Sequence, residues 1–515
     1  MKRRNFIKLS SMGLTGLGLS TSVLSMTTEN TPFHVNNLPI ENDGLVLNYH
    51  LMHPGDLSAP GDPNAAFFLN DTCHLHYILR HPWKDDESHS FIHVSSRDML
   101  HWEWHKTKLQ PSFTGHGMYS GTGFITKGGR PATIYHGQGS DRNQIAIAKD
   151  NNLSAWEKPY PIKVKTKDGK DARINHWDPD CFLIGDTYYA ISGGQNPPVF
   201  KSTDLKNWTF IGDFLQHEML DVAKGEDISC PNFFKIGDKW MMLCISHPFG
   251  CRYYLGDWDE KKEQFVPTSH NRMNWRREGQ SNLEYRNCFA PESVLTPDGR
   301  RVMWAWLATL DDRVNKKTIQ SLPRELSLDK EGTLKIAPLK ELKSLRYDEK
   351  QIVNFEVDMR KQHNGGFSNK KIAELEGDAI EIEATISREV AKNKRFGFQL
   401  FSDGEKDFGF PVVINPVTKS VLVGNTEAPF LVDSLPANED VNIRIFIDKY
   451  LVEVFVNDKQ AVLDVCMNYD KYSGLYAYTY GEKTTFKEIK IWKIKPTNEG
   501  YFKAKENRIW ETDTK

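Results

Sequence analysis

The chain has 515 residues, 39% of them hydrophobic and 26% charged, so it carries enough apolar material for more than one globular core. A formal net charge of -2 excludes a general attraction to nucleic acid or to an acidic membrane surface. Cys73, Cys181, Cys230, Cys244, Cys251, Cys288 and Cys466 include no C-x-x-C pair, which argues against a cysteine metal cluster or a disulfide framework and leaves them as small buried residues.

Residues 1–30 read as an export signal. Lys2, Arg3 and Arg4 precede the weakly apolar run "LSSMGLTGLGLSTSVLSM", which is too rich in Gly and Ser for a stable span. The adjacent arginines fit a twin-arginine signal, with a periplasmic or extracellular destination. No later segment approaches the roughly 18 apolar residues of a spanning helix, so stable membrane insertion is not expected.

Residues 45–337 consist of short apolar-aromatic runs broken by Gly, Asp, Asn and Pro. "CHLHYIL", "ATIYHG", "TYYAISG", "KWMMLCIS" and "RRVMWAWL" predict buried strands, and no long stretch of helical period separates them. Asp98, Asp150, Asp204 and Asp257 each follow a strand at intervals of about 53 residues, three of them with a Trp shortly after (Trp102, Trp156, Trp208). That period, in units of four strands, is the mark of propeller blades. His93 and His101 fall in the same link and read as structural.

A second series runs in phase with the first. "GDPNAAFF", "YSGTGFI", "WDPDCFL", "SCPNFFK" and "FAPESVL" each open a strand about one blade apart, which predicts five blades. If each is its blade's innermost strand, Asp62 and Asp178 meet at one mouth of the axial channel. An acid before a buried strand is costly unless paired or hydrated, and that mouth offers both.

These residues resemble glycoside hydrolase family 32, the invertase, inulinase and levanase group. "GDPNAAFF" is similar to the family's Asn-Asp-Pro-Asn-Gly motif at Asp62, Pro63 and Asn64. "HVSSRDMLHW" resembles its blade link, "YSGTG" its Ser-Gly motif, and "WDPD" its Arg-Asp-Pro motif at Asp178 and Pro179. "SLPRELSLDKEGTLKIAPLKELKSLR" and "YLVEVFVNDKQAVLDV" resemble the propeller exit and a strand pair of the second domain. The resemblance implies an all-β chain, a five-bladed β-propeller followed by a C-terminal β-sandwich. It implies retaining hydrolysis of terminal β-fructofuranosyl linkages in sucrose, levan, inulin or related oligosaccharides. By the same resemblance Asp62 is the nucleophile and Asp178 stabilises the oxocarbenium-like transition state. This chemistry calls for no metal and no cofactor, and its partner is a carbohydrate substrate.

The acid/base is displaced from the family pattern. The family has Glu directly before Cys, whereas "GEDISCPNFF" has Ser229 before Cys230. Glu226 is the leading candidate, with Glu292 and Asp227 as alternatives. Asn64, Tyr119, Ser120, Trp177 and Glu292 are the candidate substrate contacts, Tyr119 and Ser120 reading equally as propeller core. Trp177 replaces the family's Arg, Ala65 its Gly, and Ala59-Pro60-Gly61 its Trp-Met-Asn, so the sugar-reading shell departs further from the family than the catalytic frame. Two other readings stay open. One is an inverting propeller glycosidase of the arabinan and xylan type. The other is a carbohydrate-binding homologue without catalysis.

A linker at 338–350 leads to residues 351–497. There "DAIEIEATIS", "RFGFQLFSD", "VNIRIFID", "LVEVFVND" and "TFKEIKIWKIK" alternate with period two, as in a β-sandwich. The polar tail at 498–515 is expected to pack loosely or fray.

Overall fold

The computed structural model describes residues 44–55, 59–274, 286–309, 311–358, 367–391, 395–405, 409–480 and 483–515. The export segment expected at 1–30 lies outside them. Residues 63–338 form five sheets, each built on a four-strand meander from the inside outward, with Lys163–Lys165 added in parallel on the outer edge of the third. The innermost strands are Pro63–Leu69, Gly117–Ile125, Pro179–Ile184, Ser229–Ile236 and Arg286–Leu295. Each packs against the next, and the fifth returns to the first, closing a five-bladed β-propeller. Local sequence sets the meander. Asn70 and Asp71, both at positive φ, form the tight hairpin between the first two strands of blade 1.

The repeating Asp and Trp have distinct jobs. Asp98 Oδ1 accepts from the amides of Leu100 and His101, and Asp204 Oδ1 accepts from those of Lys206 and Asn207. Asp150 Oδ1 does the same for Asn152 and Ser154. Each is a side-chain turn that reverses the chain past a strand. In blade 4 this role belongs to Asp259, which caps Lys261 and Lys262, and not to the expected Asp257, which pairs with Lys239. The strand there simply runs two residues longer. Trp156 and Trp208 are buried in the apolar layers between blades 1 and 2 and between blades 2 and 3.

A 3-10 turn at Lys340–Leu345 joins the propeller to the sandwich, whose first strand is Arg346–Val357. Two six-stranded sheets face each other across a core that includes Ile382, Ile445, Val454, Phe398, Val412 and Ala477. The two domains are bolted by buried charge. Arg324 Nε donates to Glu453 Oε1 at 2.8 Å. Asp448 accepts from the amides of Asn48, Tyr49 and His50 and from His50 Nδ1 at 2.9 Å. The "LPREL" and "VEVFVND" segments thus face each other, each burying a charge that the other satisfies.

The tail departs from expectation. Residues Glu499–Asn507 form a helix that buries Tyr501 and Ala504 against blade 1. Beyond it, Thr107 Oγ1 donates to the Trp510 carbonyl at 2.7 Å, and Ser112 Oγ to Asp513 at 2.6 Å. Composition alone reads polar, but its aromatic residues supply anchors that composition averages away.

Candidate active site

The N-terminal ends of the innermost strands gather at one mouth of the channel. Gly61 introduces the first. A side chain there would collide with Thr318 Cγ2 at 2.6 Å and Trp306 Nε1 at 2.8 Å, so only glycine lets the chain pass. Asp62 follows, buried, its Oδ2 accepting from Ser120 Oγ at 3.0 Å. Asn64 ties the same two blades: its Nδ2 donates to the Asp62 carbonyl at 2.6 Å and its Oδ1 accepts from the Gly121 amide at 2.7 Å. Asn64 and Ser120 therefore position Asp62.

Asp178 opens the third innermost strand. Its Oδ2 accepts from the Cys230 amide at 3.1 Å. Burial raises its pKa, against the hydrogen bonds of Cys230 and Ser229 and the His247 charge. Cys230 stands at φ 45°, in a bulge of the fourth innermost strand, an uncommon conformation for a non-glycine residue. Both carboxylates act on its thiol, which burial pushes up with help from Asp178 and Asp62. Cys230 therefore lies against Asp178 and within electrostatic reach of Asp62. Expected only to pack, Cys230 also orients a carboxylate with its amide.

Glu226 does not match the acid/base expected of it. Its side chain is 1% exposed. Arg272 grips both its oxygens, at 2.6 and 2.9 Å, Arg252 Nη1 adds a contact at 3.0 Å, and the Ala223 amide donates to Oε1 at 2.8 Å. Burial alone would raise its pKa, but Arg272, the Ala223 amide and Arg252 pull it down to about 2. A carboxylate so held keeps no proton to give near neutral pH.

Glu292 also departs from expectation, both as alternative acid and as substrate contact. It is buried with Asp180, Arg301 and the backbone of Ala66 and Gly123. Ala66 lies four residues down the strand from Asp62, so Glu292 sits about 13 Å below the mouth at the ordinary strand rise. Burial and then Asp180 raise its pKa, and burial lifts Asp180 to about 6. Asp180 and Arg301 line a cavity of about 410 Å³ at the far ends of the strands. Glu292 belongs to that interior cluster.

Asp227, the third candidate, faces the mouth but carries a partner. Its Oδ2 accepts from His247 Nδ1 at 2.6 Å and from Ser229 Oγ at 2.9 Å, and its Oδ1 from the His247 amide at 3.0 Å. Burial opposes ionisation, but His247 and Ser229 hold its pKa at about 2. Trp177 Nε1 donates to Ser229 Oγ at 3.1 Å, and its ring lies 5.6 Å from that of His136. Tyr119, half-buried on the rim, meets His89 edge-on at 4.9 Å. His247, Arg252 and Arg272 were not legible as site residues. His247 alone left a signal: it directly follows the strand paired with the one that starts at Ser229, and a hairpin partner ends where its neighbour begins.

A second groove, about 650 Å³ between blade 1 and the C-terminal helix, is lined by Asp98, His101 and Lys503 among others. Its Asp98 is committed to a turn, and its carboxylates Asp98, Glu103 and Glu499 lie on the outer edge of blade 1 and on the C-terminal helix, away from the axial channel, so the mouth at Asp62 and Asp178 is the candidate site.

The family model described as "Glycosyl hydrolases family 32 N-terminal domain" matches residues 54–338, and "Glycosyl hydrolases family 32 C terminal" matches residues 341–493. The chain is 25% identical over 496 residues to a levanase of Bacillus subtilis, covering 84% of this chain and 68% of that one. It is 25% identical over 447 residues to a sucrose-6-phosphate hydrolase of Escherichia coli, covering 81% and 87%. Its fold is similar to the crystal structure of fructan 1-exohydrolase IIa from Cichorium intybus, with a TM-score of 0.68, 19% identity and coverage of 89% and 98%.

Proposed function

Because the chain belongs to glycoside hydrolase family 32, we propose that it is a retaining glycosidase that releases terminal β-fructofuranosyl units from sucrose, levan, inulin or related oligosaccharides. The observation that carries this reading is that Asp62 and Asp178 open the first and third innermost strands at one channel mouth, Asp178 bonded to the Cys230 amide and Asp62 close enough to act on the same thiol. Asp62 attacks the anomeric carbon and forms a glycosyl-enzyme that water later hydrolyses. Asp178 accepts hydrogen bonds from the sugar hydroxyls as the ring gains positive charge. Trp177 offers a ring face to the sugar where the family pattern has an Arg. Hydrolysis of a panel of sucrose, levan, inulin and short fructo-oligosaccharides tests this, and release of fructose from at least one member is expected.

One observation favours a second reading. Ser229 stands where the family carries its Glu, and Glu226 is locked by two arginines. A sugar-binding homologue without catalysis has the same fold and the same mouth. It would bind members of the panel and hydrolyse none.

Export is part of the proposal. Lys2, Arg3 and Arg4 ahead of a weakly apolar run support it. Among the described residues no helix is long and apolar enough to cross a membrane. Fractionation of the producing cells, with N-terminal sequencing of the mature protein, checks the destination and the cut.

A further inference from the structure

We propose that the proton donor and acceptor of this site is His247, positioned by Asp227. The inference rests on the fructosidase reading above. It deepens that reading by assigning the role that Ser229 vacates.

Three features support it. First, His247 follows strand Lys239–Ser246, whose Ile245 pairs with Ser229, so the residue lies at the same mouth as Asp62 and Asp178. Its charge is among those felt by the Asp178 carboxylate. Its side chain is 36% exposed, enough for a sugar to reach. Second, Asp227 fixes the ring. Contacts at 2.6 Å to Nδ1 and 3.0 Å to the His247 amide hold side chain and backbone together. With Asp227 ionised, Nδ1 donates to it, and Nε2 is the nitrogen that handles the reacting proton. Third, the wall beside it is rebuilt as one unit. Trp177 Nε1 donates to Ser229 Oγ, which donates to the same Asp227 oxygen that holds the ring. Both substituted residues, Trp177 and Ser229, thus join the Asp227–His247 pair in a single hydrogen-bond chain.

The steps balance. In the first, an Asp62 oxygen bonds to the anomeric carbon, the bond from that carbon to the leaving oxygen breaks, and the Nε2 proton of cationic His247 passes to that oxygen. The leaving sugar departs as an alcohol and His247 is left neutral. In the second, a water oxygen bonds to the same carbon while its proton goes to Nε2. The bond to Asp62 breaks, freeing fructose, the Asp62 carboxylate and a protonated His247. An imidazole changes charge near neutral pH, which suits a group that must give and then take a proton.

The test uses the full chain, wild type and His247→Gln, with sucrose and with a nitrophenyl β-fructofuranoside whose leaving group needs no protonation. His247→Gln should lose at least about 100-fold in kcat on sucrose. On the nitrophenyl substrate it should keep a fast first burst, turn over slowly, and recover when azide replaces water as the nucleophile. Retention of that burst shows that the variant is folded. Asp227→Asn should lower kcat on sucrose more than about 10-fold with KM little changed, which a loss of packing alone would not do. If His247→Gln hydrolyses sucrose like wild type, the inference is overturned and the fructosidase reading stands. If wild type turns over neither substrate nor any fructan, the fructosidase reading falls and takes the inference with it.

Discussion

Arg272 holds Glu226 in a two-pronged grip, Nη2 to Oε1 at 2.6 Å and Nη1 to Oε2 at 2.9 Å, and Arg252 closes the third side. This bidentate pair stiffens the entrance to the fourth blade. Removing the charge of Glu226 leaves two guanidinium groups without their anion. Glu226→Gln should therefore cost stability, by about 3–5 kcal/mol if it behaves as other broken buried pairs do. Urea unfolding measures this, and azide should rescue none of any activity loss. The sign of the pH dependence follows. The folded-state pKa lies below the ordinary 4.5, so the pair's stabilisation is present above about 4.5 and lost as pH falls toward about 2.

Asp62 and Asp178 should separate by kind of loss. Asp62→Asn removes the nucleophile, so activity should fall at least about 10⁴-fold on every substrate, the nitrophenyl one included, without azide rescue. Asp178→Asn removes charge stabilisation and should cost about 10²–10³-fold in kcat. Steady-state kinetics of both variants on sucrose and the nitrophenyl substrate check the split.

Asp62 and Asp178 were legible because an acid before a strand-opening proline recurs in phase with the blades. Glu226 misled because its fate is decided by Arg252 and Arg272, 26 and 46 residues downstream on neighbouring strands. Glu292 misled for a different reason. It lies on an innermost strand as expected, but far enough along it to meet Asp180 and the backbone of Ala66 and Gly123 inside the channel, a depth that depends on the register between blades. The blades, the sandwich and the exit segment were all legible, since period-two patterning and turn chemistry are local. The docking of the tail was not, because it depends on where Tyr501 and Trp510 land.

Trp177 should report on sugar contact. Trp177→Ala removes the ring face and should raise KM about 3- to 10-fold. Trp177→Phe keeps a ring but loses the Nε1–H that donates to Ser229, and its effect on KM should be smaller. Substrate titration of both variants checks the order, and an equal KM for the two would remove the stacking role.

His50 should make the domain interface sensitive to pH. Burial disfavours its charge, but hydrogen bonds to Asp448 and Glu453 outweigh burial and raise its pKa above 6.5. The stabilisation is fully present below about 6.5 and is lost as pH rises through the raised folded-state value. The melting temperature of wild type should decline on that alkaline side, and His50→Gln should be less stable at pH 6 with a flatter profile. Thermal melts from pH 6 to 9 measure both.

The stereochemistry of the first-formed product bears most directly on the proposed reaction. Attack by Asp62 followed by attack of water inverts the anomeric carbon twice, so the released fructofuranose should appear first as the β anomer. Proton NMR of the nitrophenyl β-fructofuranoside reaction, recorded before the sugar equilibrates in solution, reads it out. Initial accumulation of the β anomer is the predicted result. Initial accumulation of the α anomer would contradict it, because a single displacement by water leaves Asp62 no covalent role.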